Sequence, residues 1–280
     1  MKSEGGSVKQ GDLWLASMLA FITMVVAITA NAGQQMVTVD TRPGVTVRVL
    51  LMTPETAAKG TLVIFPGGNG AGHLTDPQGK IRLSGNFLVR SAGLFVHQGL
   101  VAAIVDVPSD HANGMDFLFR SSQEHVEDIK KVLDGLGEKL AKPIVLIGTS
   151  AGTISVGSFG TSQKDPRLAG MILTASIGAS RGRGGSLVDF PLEKMAGPVL
   201  FVHHKQDACW ASPFKGALKI RDRVAKSAKT DFIEVMGGDP PISQPCEAKS
   251  THGFLGKERE VVSAIADWIA GRPIPDTIGP

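Results

Sequence analysis

Pro143-Ile144-Val145-Leu146-Ile147-Gly148-Thr149-Ser150-Ala151-Gly152 is the stretch on which the fold turns. An unbroken apolar run enters a Gly-x-Ser-x-Gly pentapeptide, and Thr153 to Ser158 can continue as a helix. A short continuous apolar run suits a strand buried on both faces of a parallel sheet. Strand, sharp turn and helix together put the serine at the apex of a strained backbone. Side chains two residues before and after it would collide, which accounts for Gly148 and Gly152. Such a turn lifts a hydroxyl above the C-terminal edge of the sheet, and the helix N-terminus beneath it favours developing negative charge. Ser150 is therefore the candidate nucleophile.

The pentapeptide alone decides little, because Gly178-Ala179-Ser180-Arg181-Gly182 repeats it after another apolar run. The second copy leads into Arg183-Gly184-Gly185-Ser186, which does not start a stable helix. That copy is expected to be loop.

Outward from Ser150 the chain keeps one rhythm. Apolar runs at Thr61–Phe65, Val101–Val107, Pro143–Ile147, Leu168–Ala175, Pro198–Val202 and Phe232–Met236 alternate with helical patterns at Phe87–Gln98, Gln123–Leu140, Pro213–Ala225 and Lys257–Ala270. Gln123–Leu140 carries Val126, Ile129, Val132, Leu133 and Leu136 at helical spacing, and Ser121 or Ser122 can cap it. Before them, Met36–Val39 and Val45–Met52 read as an antiparallel hairpin turned at Arg42-Pro43-Gly44. Strand–helix alternation predicts a doubly wound, mostly parallel sheet with right-handed crossovers. No long linker divides the chain, so residues 33–280 read as one domain.

Ser150 in this context resembles the nucleophile of the α/β-hydrolase family, and most of all its compact bacterial esterases and dienelactone-hydrolase-like members, which lack a large lid domain. The resemblance covers about Val45 to Ala270. It implies an acid after a late strand and a histidine before the last helix. Asp207, which ends Pro198-Val-Leu-Phe-Val202-His203-His204-Lys205-Gln206-Asp207, matches the acid, with His204 where the family commonly has glycine. Asp189 and Asp239 are rivals with poorer placement at a strand end. His252 in Thr251-His252-Gly253-Phe254 resembles the family's His-Gly-Phe pattern. The other histidines lack its place in the chain order, although His73, just after a glycine loop, could touch substrate. Ser150, Asp207 and His252 then stand in the Ser–Asp–His order of this fold. The resemblance implies an oxyanion hole made by the Ala151 N–H and by an N–H of the loop Pro66-Gly67-Gly68-Asn69-Gly70, with Gly68 the matching position and Asn69 the next candidate. Pro66 stands where the family usually has histidine.

At the N-terminus, Leu13 to Thr29 carry no charge, and Ala30-Asn31-Ala32 suits a signal peptidase. Residues 1–32 read as a secretory signal, or otherwise as a membrane anchor. The n-region is only weakly basic, since Glu4 and Asp12 offset Lys2 and Lys9. Cys209 and Cys246 are the only cysteines, and an exported chain bridges such a pair. They sit close in sequence to Asp207 and His252, so a bridge would tie the two supporting loops together. Export would place the protein in the periplasm or outside the cell.

A net charge of +3, with no basic run, gives no sign of nucleic-acid binding, and no Cys/His cluster has metal-ligand spacing. No metal or cofactor is expected. If the signal is cleaved, no stable membrane partner is expected, and the oligomeric state is not legible. The sequence leads us to expect cleavage of a small carboxylic ester through an acyl-enzyme. A peptidase or acyltransferase on the same triad, or a non-catalytic exported binding protein on this fold, are the alternatives. Three segments could shape a pocket: 71–87, 109–120 with Met115, Phe117, Leu118 and Phe119, and 177–197 with Arg181 and Arg183.

Overall fold

The computed structural model describes residues 1–2, 33–75, 78–83, 85–179 and 185–279. The leader expected at 1–32 lies outside the described residues apart from Met1 and Lys2, and so do Ser180 to Gly182 of the second pentapeptide and Arg183 and Gly184 after it. Among the described residues, no helix is long and apolar enough to cross a membrane.

The strands are β1 (Gly33–Arg42), β2 (Val45–Thr53), β3 (Thr61–Phe65), β4 (Val101–Pro108), β5 (Ile144–Thr149), β6 (Leu168–Thr174), β7 (Val199–His204), β8 (Thr230–Val235) and β9 (Thr277–Ile278). They form one sheet in the order β1-β2-β4-β3-β5-β6-β7-β8-β9. The β1–β2 hairpin is antiparallel and β2 pairs antiparallel with β4, while every later pairing is parallel. This is the mostly parallel sheet with an antiparallel opening hairpin that the sequence predicts, with no large lid among the described residues. The two-residue β9 has no counterpart in the sequence reading, because so short an edge carries no periodicity.

The continuous apolar runs are explained by burial on both faces. In β3, Val63 and Phe65 enter one core cluster while Leu62 and Ile64 enter the other. In β5, Ile144 and Leu146 face the first cluster, and Val145 and Ile147 the second. Helices cover each side. Those labelled here are α1 (Phe87–Arg90), α2 (Ala92–His97), α3 (Phe117–Arg120), α4 (Gln123–Leu136), α5 (Gly152–Ser162), α6 (Phe214–Val224) and α7 (Glu258–Ile269). Val126, Ile129 and Val132 of α4, with Ile154 and Phe159 of α5, fill the first cluster, whereas Phe87, Phe95 and Val261 fill the second.

Two helices differ from the expected spans. Phe87–Gln98 is split at buried Ser91, which closes α1 and opens α2. Serine and the nearby Gly93 are weak helix formers, so the local preference yields there. Gln123–Leu140 stops at Leu136 because Gly137 takes φ 45°, a left-handed conformation open to glycine. Ser122 caps α4, its Oγ accepting from the His125 N–H.

The strand order fixes where a site can form. The chain steps from β3 to its neighbour β4 on one side, then returns to place β5 on the other side of β3. Ligand crevices in open α/β sheets form beyond the carboxyl ends of strands at such a switch point. Here that point lies between β3 and β5, with Phe65 opposite Gly148.

Candidate active site

At the end of β5, Ser150 takes φ 52°, a left-handed conformation that a non-glycine residue adopts at a cost of about 1–3 kcal/mol. The surroundings enforce it. A Cβ on Gly148 would lie 2.4 Å from the Gly152 carbonyl oxygen, and one on Gly152 would lie 2.0 Å from the Phe65 carbonyl oxygen. The turn is further held by the Ser150 N–H donating to Thr174 O at 3.0 Å and by Thr153 Oγ1 donating to Ser150 O at 2.6 Å. Ala151 is the N-cap of α5, so its N–H has no acceptor within the helix.

Asp207 follows β7 by three residues, its N–H donating to His204 O at 3.1 Å. Its side chain is fully buried. Oδ2 accepts from His252 Nδ1 at 2.8 Å, and Oδ1 accepts from the Cys209 N–H at 2.9 Å. A neutral or charged imidazole so bonded carries a proton on Nδ1 and turns Nε2 outward. His252 Nε2 is buried and has no partner among the described residues. His252 sits on the 3-10 turn Thr251–Gly253, ahead of α7.

The base loop is held from three directions. Its own Ser250 Oγ accepts the His252 N–H at 3.2 Å, and Thr251 Oγ1 donates to Gln206 O on the acid loop at 3.1 Å. Arg90 of α1 donates to Gly253 O at 2.6 Å while pairing with Glu258 of α7 at 2.9 Å. A disulfide joins Cys209 to Cys246, 37 residues apart, so the acid loop is also covalently tied to the segment before His252. In the loop-entropy account a closure of that length contributes about 4 kcal/mol.

His203 and His204 are structural partners of this arrangement. His203 Nε2 donates to Ser212 O at 2.9 Å and lies 3.6 Å from Asp207 Oδ2. Burial pushes its pKa down to about 4, although the Asp207 carboxylate pulls the other way. His204, in the position where the resemblance would put glycine, donates from Nε2 to Gly237 O at 2.9 Å and accepts the Gln206 N–H on Nδ1 at 3.1 Å. It braces the acid loop against the segment after β8.

Ser150 and His252 line one cleft of about 370 Å³, together with Pro66, Gly67, Gly68 and Asn86. Of the segments expected to shape a pocket, 71–87 contributes, as does His73 within it. The apolar cluster of 109–120 does not. Met115 is buried, Phe119 stacks on His111 with ring centres 3.6 Å apart, and Leu118 is exposed elsewhere on the surface. Arg181 and Arg183 lie outside the described residues. Cys246, Glu247 and Ala248 form part of the wall instead. That segment is tied to the acid loop by the disulfide and to the base loop by Ser250 Oγ donating to Glu247 O at 2.8 Å, and cysteine spacing was the only sequence signal for it. Of the rival acids, Asp189 falls in the 3-10 turn Leu187–Asp189, and Asp239 is exposed with its N–H on Leu255 O. Among the described residues, no group of His, Cys, Asp and Glu is arranged to hold a metal ion.

No known family profile and no curated protein matches this sequence. Solved structures do. The chain is similar to a cold-adapted esterase from an Arctic intertidal metagenomic library, at TM-score 0.54 and 17% identity over 85% of this chain and 92% of that one. It is similar to DcsB, solved with a substrate analogue, at TM-score 0.60 and 16% identity over 86% of this chain and all of that one. It also resembles Porphyromonas gingivalis dipeptidyl peptidase 4 at TM-score 0.58 and 13% identity, over 87% of this chain but only 36% of that larger one. The protein has the α/β-hydrolase fold.

Proposed function

We propose that this protein is a serine hydrolase that cleaves small carboxylic esters. The observation that carries the reading is the Asp207–His252 hydrogen bond of 2.8 Å, with an unpartnered Nε2 in the cleft that also holds strained Ser150. In this reading, His252 takes the Ser150 proton as the hydroxyl attacks the ester carbonyl, then passes it to the departing alcohol. Asp207 keeps the imidazole in the right tautomer and stabilises its charged form. The N–H groups of Ala151 and of the Gly68–Asn69 loop hold the tetrahedral oxyanion. Water then hydrolyses the acyl-enzyme by the same proton path in reverse.

Both esterases and a peptidase share this fold, so the leaving group needs its own test. An ester panel of graded acyl length, run beside amides and alcohol acceptors, reads the class directly. Ser150→Ala is expected to lower kcat by about 10⁴–10⁶-fold in a protein that stays folded. Normal turnover by that variant, or no labelling of Ser150 by a fluorophosphonate, would end the proposal and favour a binding role.

We further propose that the protein is exported after cleavage behind Ala32. The disulfide supports this, since such bonds persist in oxidising compartments. Intact-mass analysis of protein from the producing cell should find a chain starting at Gly33 with no free thiol. A cytosolic species retaining Met1 with two free thiols would refute it.

A further inference from the structure

Arg120, at the end of α3, is wholly buried, and among the described residues no carboxylate meets it. Its Nη1 donates to Ser155 Oγ of α5 at 2.8 Å. Its Nη2 donates to Pro66 O at 3.1 Å and to Gly68 O at 3.3 Å, and its Nε has no partner among the described residues. Burial pushes the guanidinium down to about 10, which still leaves it charged at neutral pH. An uncompensated buried cation is destabilising, and an apolar residue of similar volume is commonly better for folding. The position therefore calls for something that uses the charge. Two of its three acceptors belong to the loop beside Ser150.

The bonds set the direction of that loop. A trans peptide points its N–H opposite its C=O. With the Pro66 and Gly68 carbonyls aimed at the buried guanidinium, the N–H groups of Gly67 and Asn69 turn away from it. The peptide between them is fixed as well, because Gly67 O accepts the Gly70 N–H at 3.2 Å, and this sets the Gly68 N–H. Pro66, Gly67 and Gly68 line the cleft with Ser150, whereas Arg120 lies behind them. Gly70 makes room for this grip, since a Cβ there would stand 2.4 Å from Arg120 Nη2.

We infer that Arg120 is a positioning residue for the oxyanion hole, locking the Pro66–Asn69 backbone with its N–H groups toward the cleft and placing a positive charge one peptide unit behind the oxyanion. A hydrogen bond to a carbonyl polarises its peptide and strengthens the N–H on the far side. The benefit therefore grows as the oxyanion forms. The inference rests on Ser150 being the nucleophile.

The test is steady-state kinetics on 4-nitrophenyl acetate beside inhibition by a trifluoromethyl ketone, whose serine adduct carries the oxyanion. Arg120→Met should lower kcat by about 100-fold while KM stays within about threefold. Affinity for the ketone should fall by the same factor, and the pH at which activity is half-maximal should not move, because His252 and Asp207 are untouched. Arg120→Lys keeps the charge but loses the fork, and should recover part of the loss. If Arg120→Met does not fold, Arg120→Lys and Ser155→Ala carry the same comparison. A folded Arg120 variant with wild-type kcat and wild-type ketone affinity overturns the inference. Ser150→Ala separates the two ways of failing. If it is inactive while Arg120 variants run normally, only the role of Arg120 is wrong. If it turns over the ester normally, the site itself is wrong and the role of Arg120 falls with it.

Discussion

Two serine–histidine pairs stand within this fold, and they are built in opposite senses. In one, His252 gives Nδ1 to the Asp207 carboxylate and leaves Nε2 without a partner in the cleft with Ser150. In the other, His125 spends Nε2 on Ser155 Oγ at 2.9 Å and leaves Nδ1 buried without a partner among the described residues. Behind His252 stands an anion. Beside His125, sharing its serine, stands the Arg120 cation. Burial, helped by Arg120, pushes the His125 pKa down to about 3. An imidazole so placed does not take up a proton at neutral pH, and Ser155, within α5, is fully buried. In the proposed mechanism the same two residue types make a proton acceptor in one place, while in the other they form a fixed strut. The sign of the neighbouring charge differs as well, an anion at His252 and a cation at His125.

Within this comparison, the larger effect should come from making the first pair resemble the second. Asp207→Asn removes the carboxylate while keeping a side chain of the same shape. The amide can hold His252 in the wrong tautomer, with its lone pair on Nδ1 and its proton aimed at Ser150. A fall in kcat of about 10⁴-fold is expected. Turnover within tenfold of wild type would show that some other group orients His252. His203, 3.6 Å from Asp207, would then be the first to examine.

The sequence made the first pair legible and hid the second, for physical reasons. Ser150 could be read because the elbow needs glycines on both sides, a strand before and a helix after. All four leave marks within about fifteen residues. His252 and Asp207 could be read from their places along the chain in the resemblance. The sheet was legible because β3 and β5 are buried on both faces and so lose the alternation of a half-exposed strand. Arg120 was not legible. It follows Phe117-Leu118-Phe119, and nothing local distinguishes a buried guanidinium from a solvated one. Two of its acceptors, Pro66 and Gly68, lie over fifty residues away. His125 likewise reads as an ordinary position on an amphipathic helix. Cys246–Ala248 lines the cleft wall, held by the long-range bridge and by Ser250 Oγ donating to Glu247 O, so spacing gave the bond but not the surface beside it.

The smaller effect sharpens the contrast from the side of stability. His125 has its folded pKa lowered from 6.5 to about 3, so the unfolded chain binds a proton at mildly acidic pH that the native protein refuses. The native state is favoured fully above about pH 6.5, and this advantage is lost progressively as pH falls from there toward 3. At pH 5 the loss attributable to this one residue is about 2 kcal/mol. His203 adds a loss in the same direction, since its folded pKa is lowered to about 4. His125→Gln can keep a hydrogen bond to Ser155 but cannot be protonated. It should be less stable than wild type at pH 7, where the native packing of the imidazole is missing. Between pH 7 and pH 5, urea denaturation should show it losing about 2 kcal/mol less than wild type does. Parallel losses in the two proteins would mean that His125 takes up its proton in the native state as readily as in the unfolded chain. The two pairs would then differ in geometry alone, and the charge of Arg120 could not be what keeps the second one neutral.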